Sequence, residues 1–305
     1  MNFQSILTKI TAVVALSVLF FSCKPEEPKP KDEKKYTVPT TYNFDNVDFS
    51  GQTTRISMLD EIIEYLELAN TQGTALDASK IKSMYANSGN PFSTADLNNS
   101  GKQLKDKTFI TDQSLIESYF DSIVLASQST TAGSNGTAGV VTSPSGKKYL
   151  LSANGIDYAE LTEKGIMGAV FYYQAVSYYL ENIATKDNST ATAGKGTDME
   201  HNWDEAFGYF SVPKDFPTAV ATAYWGKYCN TNNAVLGINK TIMDAFLKGR
   251  AAILNKDYVA RDEAKRVVTE TWEKVAAATA IHYINRAKAN FADDALRNHT
   301  LSETL

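Results

Sequence analysis

The 305-residue sequence contains only two cysteines and three histidines. Two cysteines cannot supply a zinc ribbon or an iron–sulfur cluster, and they exclude a disulfide scaffold. The chain also lacks a basic excess: its formal net charge is -5, which argues against nucleic acid as a partner, because phosphates could not be neutralised. Hydrophobic residues make up 43% of the chain and charged residues 21%, which indicates a globular protein rather than a disordered one.

Several catalytic signatures are missing as well. The sequence has no serine nucleophile elbow, no Walker loop, and no Gly-x-Gly-x-x-Gly that opens a helix after a strand. His-Glu-x-x-His is also absent, so a standard metalloprotease would lack residues for its third ligand and its general base.

The first residues have the pattern of a secretory signal peptide. Lys9 precedes an apolar run over residues 10–21. That run is too short to span a bilayer, which requires about 20 helical residues. Ser22 and Cys23 at its end resemble a bacterial lipobox, which implies that residues 1–22 are removed and that Cys23 is lipidated. The alternative is a buried cysteine in an uncleaved helix.

Residues 23–41 are predicted to form a flexible, lipid-anchored tether. Proline alternates with charge over residues 24–35, and no apolar residue there could join a core. A lysine followed closely by two acidic residues resembles the surface-export signal of Bacteroidota lipoproteins, although these could be simple tether charges. We therefore expect an outer-membrane protein that faces the cell surface. Cys229 is then left without a partner, so no disulfide is expected.

Residues 42–305 are predicted to form an all-α, up-and-down helical bundle with a small β-hairpin insertion. The hairpin strands are expected at residues 140–142 and 149–151, as the one credible sheet. The last helix is expected to begin near His299 and to be short or truncated at the end of the chain. The other predicted helices, from apolar residues at helical spacing, cover about 55–70, 77–87, 112–126, 157–184, 199–209, 216–229, 239–255 and 258–292.

The 157–184 segment is apolar nearly all round, which predicts a central helix. Gly165 and Gly168 within it would allow a neighbouring element to approach closely. Residues 185–198 are predicted to be a flexible break. Aromatic residues are frequent around residue 203; they could line a haem pocket, but a role in the core is the favoured interpretation.

Two histidines are each followed by a glutamate four residues later: His201 by Glu205, and His299 by Glu303. Such pairs share one face of a helix and could hold one ion. Two pairs on facing helices would offer two nitrogens and two carboxylates, a set that suits zinc, iron or a related ion. Alternatively, each glutamate pairs with a surface lysine and each histidine satisfies local hydrogen bonds. His282 is expected to be packed rather than a ligand.

Three blocks, residues 161–169, 201–210 and 299–303, resemble an uncharacterised lipoprotein family of Bacteroidota and marine bacteria, a domain of unknown function. That family is distantly similar to the imelysins, helical envelope proteins linked to iron uptake and once classed as metallopeptidases. The imelysin pattern is Gly-x-His-x-x-Glu. Here Met199 occupies the glycine position, and Asp204 and Glu205 lie three and four residues after His201. The resemblance implies a site at His201 with Asp204 or Glu205, and an imelysin-like bundle.

Three functions are compatible with these patterns. The first is a surface lipoprotein that binds iron, haem or another metal complex and passes it to an outer-membrane uptake receptor; zinc is a further candidate ion. The second is a metal-dependent peptidase of imelysin type. The third is a structural or accessory lipoprotein without a small ligand, in which His201 and Glu205 would be engaged in core hydrogen bonds.

Overall fold

Residues 36–49 form an irregular segment, with a turn at Asp45 and Asn46, that leads into the first helix of the computed structural model, which describes residues 35–305. One compact unit covers Tyr36–Leu305, and the hydroxyl of Tyr36 already donates to Asp257 Oδ2 at 3.3 Å. The predicted signal peptide, the lipidated Cys23 and most of the predicted tether lie outside the described residues. Along these residues, no helix combines the length and the apolar character that crossing a membrane requires.

The prediction of an all-α bundle with a small hairpin is confirmed. Short 3-10 turns occur at Leu68–Asn70, Lys105–Lys107, Ile110–Asp112 and Ile183–Thr185. The helices are α1 Ser50–Glu67, α2 Ala78–Ala86, α3 Ala95–Asn99, α4 Gln113–Ser127, α5 Tyr158–Ile166, α6 Asp198–Phe210, α7 Tyr224–Leu236, α8 Asn239–Leu254, α9 Tyr258–Ala289 and α10 Asp294–Ser302. The strands are β1 Gly139–Thr142, β2 Lys148–Leu151, β3 Ala191–Thr192 and β4 Gly196–Thr197.

Side-chain caps fix the beginnings of several helices. In each, an aspartate or threonine accepts a hydrogen bond from a backbone N–H of the first turn, which would otherwise lack a partner. At α6 the cap is a full capping box, because Glu200 in turn accepts from the N-cap backbone. The capping residues are Asp77, Asp157, Thr197, Asp257 and Asp293.

A wide helix continues α5 without a break. Residues Met167–Leu180 form a π-helix, which is long for a geometry that usually appears as a single turn. Two of its carbonyls accept hydrogen bonds from other elements: Trp225 Nε1 donates to Met167 O at 3.1 Å, and Phe109 N donates to Ala169 O at 2.9 Å. The predicted central helix is thus present, and apolar side chains around most of its circumference are buried.

The sheets are minimal. β1 and β2 form the predicted hairpin and pair antiparallel, with Val140 opposite Leu150. A second antiparallel pair, β3 with β4, occurs in the predicted flexible break, so the expectation of one sheet was wrong. Two-residue strands carry no detectable alternation, and Gly194 and Gly196, both with positive φ, close this turn.

Several helices differ from the prediction: α1 begins at Ser50 rather than near residue 55, and α3 lies where no helix was predicted. α7 covers Tyr224–Leu236 rather than 216–229, because Pro217 lies in a turn that precedes the helix and because polar residues continue it to Gly237. Gly237 adopts the left-handed conformation that ends the helix. α10 begins at Asp294 instead of near residue 299, because Asp293 caps it.

The centre of the bundle is aromatic. Trp203, Phe207 and Phe210 of α6 pack against Phe246 of α8, and Trp203 Nε1 donates to the carbonyl of Phe246 at 3.0 Å. The favoured interpretation of the aromatic residues around residue 203, as core, agrees with their burial. Gly249 makes room for the Trp203 indole: a Cβ there would lie 2.0 Å from Trp203 Cζ2.

Candidate metal centre

His299 lies at the junction of α10 and α5, in a fixed orientation. Asp157 Oδ1 caps α5 by accepting from the backbone of Ala159 and Glu160, which leaves Oδ2 to accept from His299 Nδ1 at 2.9 Å. The ring also stacks on Tyr149 of β2, with centroids 3.9 Å apart. Because the carboxylate can only accept, Nδ1 carries a proton, and Nε2 is the nitrogen left for a ligand.

Acidic groups lie near both nitrogens of the imidazole. Glu303 Oε2 lies 3.9 Å from His299 Nε2, one helical turn along α10. Glu160 Oε1 lies 3.9 Å from His299 Nδ1. One ligand atom each from Asp157, Glu160 and His299 lie within 4.8 Å of one another, the spacing of groups that can share a metal ion.

Glu303 is the least satisfied of these acids. Its side chain is only 9% exposed, and its Oε2 accepts no hydrogen bond. The closest cationic atoms, His299 Nε2 and Arg286 Nη1, are both 3.9 Å from it, too far for a hydrogen bond. A buried carboxylate oxygen without a hydrogen-bond donor lowers the stability of the fold unless a cation or another donor binds it.

Lys164 of α5 holds the neighbouring carboxylates. Its Nζ lies 3.0 Å from Glu160 Oε2 and 2.6 Å from Glu163 Oε1. Burial lowers the pKa of Lys164, but the charges of Glu160 and Glu163 outweigh it and hold that pKa well above its usual value. Lys164 is therefore a fixed positive charge that balances part of the acidic group.

The protonation of His299 and Glu303 reflects the same surroundings. Burial lowers the pKa of His299, but the hydrogen bond to Asp157 and the charges of the nearby carboxylates raise it above its usual value. Burial, followed by the charge of Glu160, raises the pKa of Glu303, against the opposing charges of Lys164 and His299 and an interaction with the Tyr283 side chain. In both groups the charge of Glu160 favours the protonated form.

These groups line a surface pocket of about 460 Å³. Its walls come from α1, the β1–β2 hairpin, α5, α7, α9 and α10. Acidic and basic side chains dominate the lining. Its lining includes Tyr149, Glu160, Glu163, Lys164, His299 and Glu303.

The first predicted pair, His201 with Glu205, is formed but lies elsewhere. His201 Nε2 is 4.0 Å from Glu205 Oε2 on α6. Glu205 Oε1 accepts from Gln52 Nε2 at 2.8 Å and from Tyr179 OH at 3.1 Å, so this carboxylate joins α6 to α1 and to the π-helix. His201 Nδ1 has no hydrogen-bond partner.

Asp204, the alternative acid from the resemblance, is part of a buried ion network. It is fully buried, and its Oδ1 accepts from Arg250 Nε at 2.9 Å and from Tyr42 OH at 2.8 Å. Arg250 also donates to Glu200 Oε1 at 2.7 Å and to the carbonyl of Asp45 at 3.2 Å. These hydrogen bonds connect the N-terminal segment, residues 36–49, to α6 and α8, so Asp204 has a structural role.

The expected convergence of the two pairs on one ion is not present. Within residues 35–305, the one group of three or more potential ligands is Asp157, Glu160 and His299. The reason is packing: α6 lies against α1, the π-helix and α8, whereas α10 lies against α5, α9 and the β1–β2 hairpin. His282, expected to be packed, is exposed on α9.

Sequence reasoning missed Asp157 and Glu160 as partners of His299. The contact joins residues 142 positions apart, and no local pattern encodes it. A signal existed in α5 itself, where Glu160, Glu163 and Lys164 interrupt a segment that is otherwise apolar and central. Charged residues in such a position need partners, and one of those partners, His299, lies on the last helix.

The pH dependence of stability should reveal the buried Asp204. Burial raises its pKa to about 7, although Arg250 and Tyr42 act in the opposite direction, whereas 3.8 is the ordinary value. Between these values the folded protein holds one proton more than the unfolded chain. The free energy of unfolding should therefore fall by about 1.4 kcal/mol per pH unit from pH 4 to pH 7 and then level off.

Urea unfolding of the wild type and of Asp204→Asn between pH 5 and pH 8 checks this expectation. The difference in stability between the two proteins should change with pH along that slope, since the asparagine cannot titrate. Parallel pH profiles would show that Asp204 is already ionised throughout the range.

Comparison with known proteins gives one match. Residues 39–305 match a family model described as a domain of unknown function, DUF4856. No curated protein and no solved structure matches the chain.

Proposed function

We propose that this chain, which belongs to the DUF4856 family of unknown function, is a metal-binding protein whose site is centred on His299 Nε2 and Glu303. The observation that carries the proposal is the buried Glu303 Oε2, which has no hydrogen-bond donor and lies 3.9 Å from His299 Nε2. A cation placed between these two atoms would satisfy both. Asp157 would orient the ring from the other nitrogen, as carboxylates do for metal-bound histidines.

The donor set indicates the class of ion. One imidazole and carboxylate oxygens suit zinc, iron and manganese better than the soft metals that prefer thiolates. Cys229, in contrast, is buried, and its thiol donates a hydrogen bond to Asn239 Oδ1. Burial raises the pKa of this thiol to about 12. The charged lining of the pocket also fits an ion or a polar complex better than the apolar faces of a haem.

Metal titration of the full chain tests the proposal. Zn²⁺ should bind the wild type, and Glu303→Gln should weaken binding by about 100-fold, the upper end of what is lost when the groups around a metal are changed. Asp157→Asn keeps the helix cap and should cost about 10-fold, because the ring loses its anionic partner. Isothermal titration calorimetry measures these affinities.

Two controls make the result specific. Glu270→Gln removes an exposed glutamate of α9 that pairs with Arg266, and it should leave the affinity unchanged. His201→Gln tests the other histidine–glutamate pair and should also have no effect. Equal Zn²⁺ affinity in the wild type and in Glu303→Gln would overturn the proposal, and a loss in His201→Gln would move the site to α6.

The cellular setting follows from the N-terminal pattern and is part of the proposal. A lipid on Cys23 would hold the protein in the outer membrane at the cell surface, where bound metal could pass to an uptake receptor, in keeping with the resemblance to imelysins. Incorporation of labelled palmitate that is lost in Cys23→Ser, together with protease accessibility on intact cells, tests this assignment.

A further inference from the structure

Basic side chains surround the mouth of the same pocket. Lys147 and Lys148 come from the β1–β2 hairpin, Lys227 from α7 and Arg286 from α9. The three lysines are exposed, and within the described chain no carboxylate lies within 4.0 Å of their amino groups, unlike Lys164 inside. The pocket thus combines buried carboxylates, among them Glu303 with an oxygen that accepts no hydrogen bond, with three exposed lysines that have no carboxylate partner among residues 35–305.

This arrangement of charges disfavours the binding of a free metal ion. Positive charge at the mouth repels an approaching metal ion and lowers its local concentration. The same charges attract an anion. A metal bound to an anionic ligand fits both parts of the pocket. The metal can bind Glu303 and His299, while its ligand pairs with the lysines.

We infer that the pocket takes its metal as a complex with a small polycarboxylate rather than as the free ion. The inference rests on the proposed metal site and adds the class of ligand. The metal would keep open coordination positions for His299 Nε2 and Glu303 Oε2, and carboxylates of the chelator would pair with Lys147, Lys148 and Lys227. A volume of about 460 Å³ is within the range of pockets that hold small molecules.

The test uses the full chain and three probes: Zn²⁺ alone, nitrilotriacetate alone, and their one-to-one complex. Nitrilotriacetate is a tricarboxylate that leaves positions on the metal open. The wild type should bind the complex more tightly than either component. A triple variant, Lys147→Gln with Lys148→Gln and Lys227→Gln, should bind the complex about 10-fold more weakly, as expected for three exposed charge pairs. Its affinity for Zn²⁺ alone should stay the same or increase.

A matched control separates this effect from net charge. Lys195→Gln with Lys274→Gln and Lys288→Gln removes the same charge from exposed lysines outside the pocket and should change nothing. Undiminished binding of the complex by the pocket triple variant would overturn the inference. Loss of Zn²⁺ alone in Glu303→Gln, combined with that result, would leave the metal site standing. Tight binding of nitrilotriacetate alone, unaffected by Glu303→Gln, would instead show an anion site and overturn both.

Discussion

Arg250→Met is expected to lower the free energy of unfolding by about 3–5 kcal/mol at pH 8, because it leaves buried carboxylates without their cation. The Arg250 side chain is 1% exposed and pairs with Asp204, which is fully buried, and with Glu200. Methionine fills similar volume, so the loss reflects the unpaired charge rather than a cavity. Chemical denaturation with an unchanged m-value measures it.

The pH gives an internal check on this variant. Burial raises the pKa of Asp204 to about 7, so at pH 5 this carboxyl group is protonated and carries no unpaired charge. The loss of unfolding free energy caused by Arg250→Met should therefore be smaller at pH 5 than at pH 8. Arg266→Met is the control, because Arg266 pairs with Glu270 on the surface of α9 and should contribute less than about 1 kcal/mol. A loss in Arg250→Met no larger than in Arg266→Met would show that the network contributes little to stability.

Gly249→Ala is expected to cost about 3 kcal/mol although it adds one methyl group, since overpacking a dense core forces the surroundings to move. The new Cβ would lie 2.0 Å from Trp203 Cζ2 and 2.3 Å from Cη2. The indole cannot retreat easily, because its Nε1 is hydrogen-bonded to Phe246 O and the ring is fully buried. Thermal and urea unfolding check the loss.

Gly168→Ala is the matched control for this prediction. It makes the same change within a helix, but a Cβ at Gly168 has no neighbour within 4 Å. Alanine should therefore be neutral or stabilise by about 0.5–1 kcal/mol, as expected when glycine is replaced inside a helix. Comparable destabilisation by both variants would mean that the close contact with Trp203 is not the cause.

Gly165 and Gly168 show how far the sequence could predict packing. It favoured close approach at both Gly165 and Gly168. The structure has it at Gly165, where a Cβ would lie 2.8 Å from Ile116 Cδ1, and not at Gly168. The positions of most helices could be predicted from the sequence, because apolar periodicity and aspartate caps are local signals. Which face of a helix meets a given neighbour is a non-local property.

The candidate site divides in the same way. The i, i+4 spacing of His299 and Glu303 was visible in the sequence and placed them 3.9 Å apart on α10. The identical spacing at His201 and Glu205 had a different outcome, because Gln52 and Tyr179 donate hydrogen bonds to the carboxylate of Glu205. The aspartate that orients His299 comes from α5. Spacing alone could not distinguish a carboxylate with partners from one without.

The wide helix at Met167–Leu180 links distant parts of the bundle through its winding. Side chains that follow a π turn are rotated relative to an α-helical continuation, so the direction of Tyr179 depends on every preceding turn. The indole N–H of Trp225 bonds the first carbonyl of that stretch, and Tyr179 donates to Glu205 near its end. If this stretch rewound to α geometry, Tyr179 would turn away from Glu205, so the hydrogen bond that connects this helix to α6 depends on how the helix is coiled.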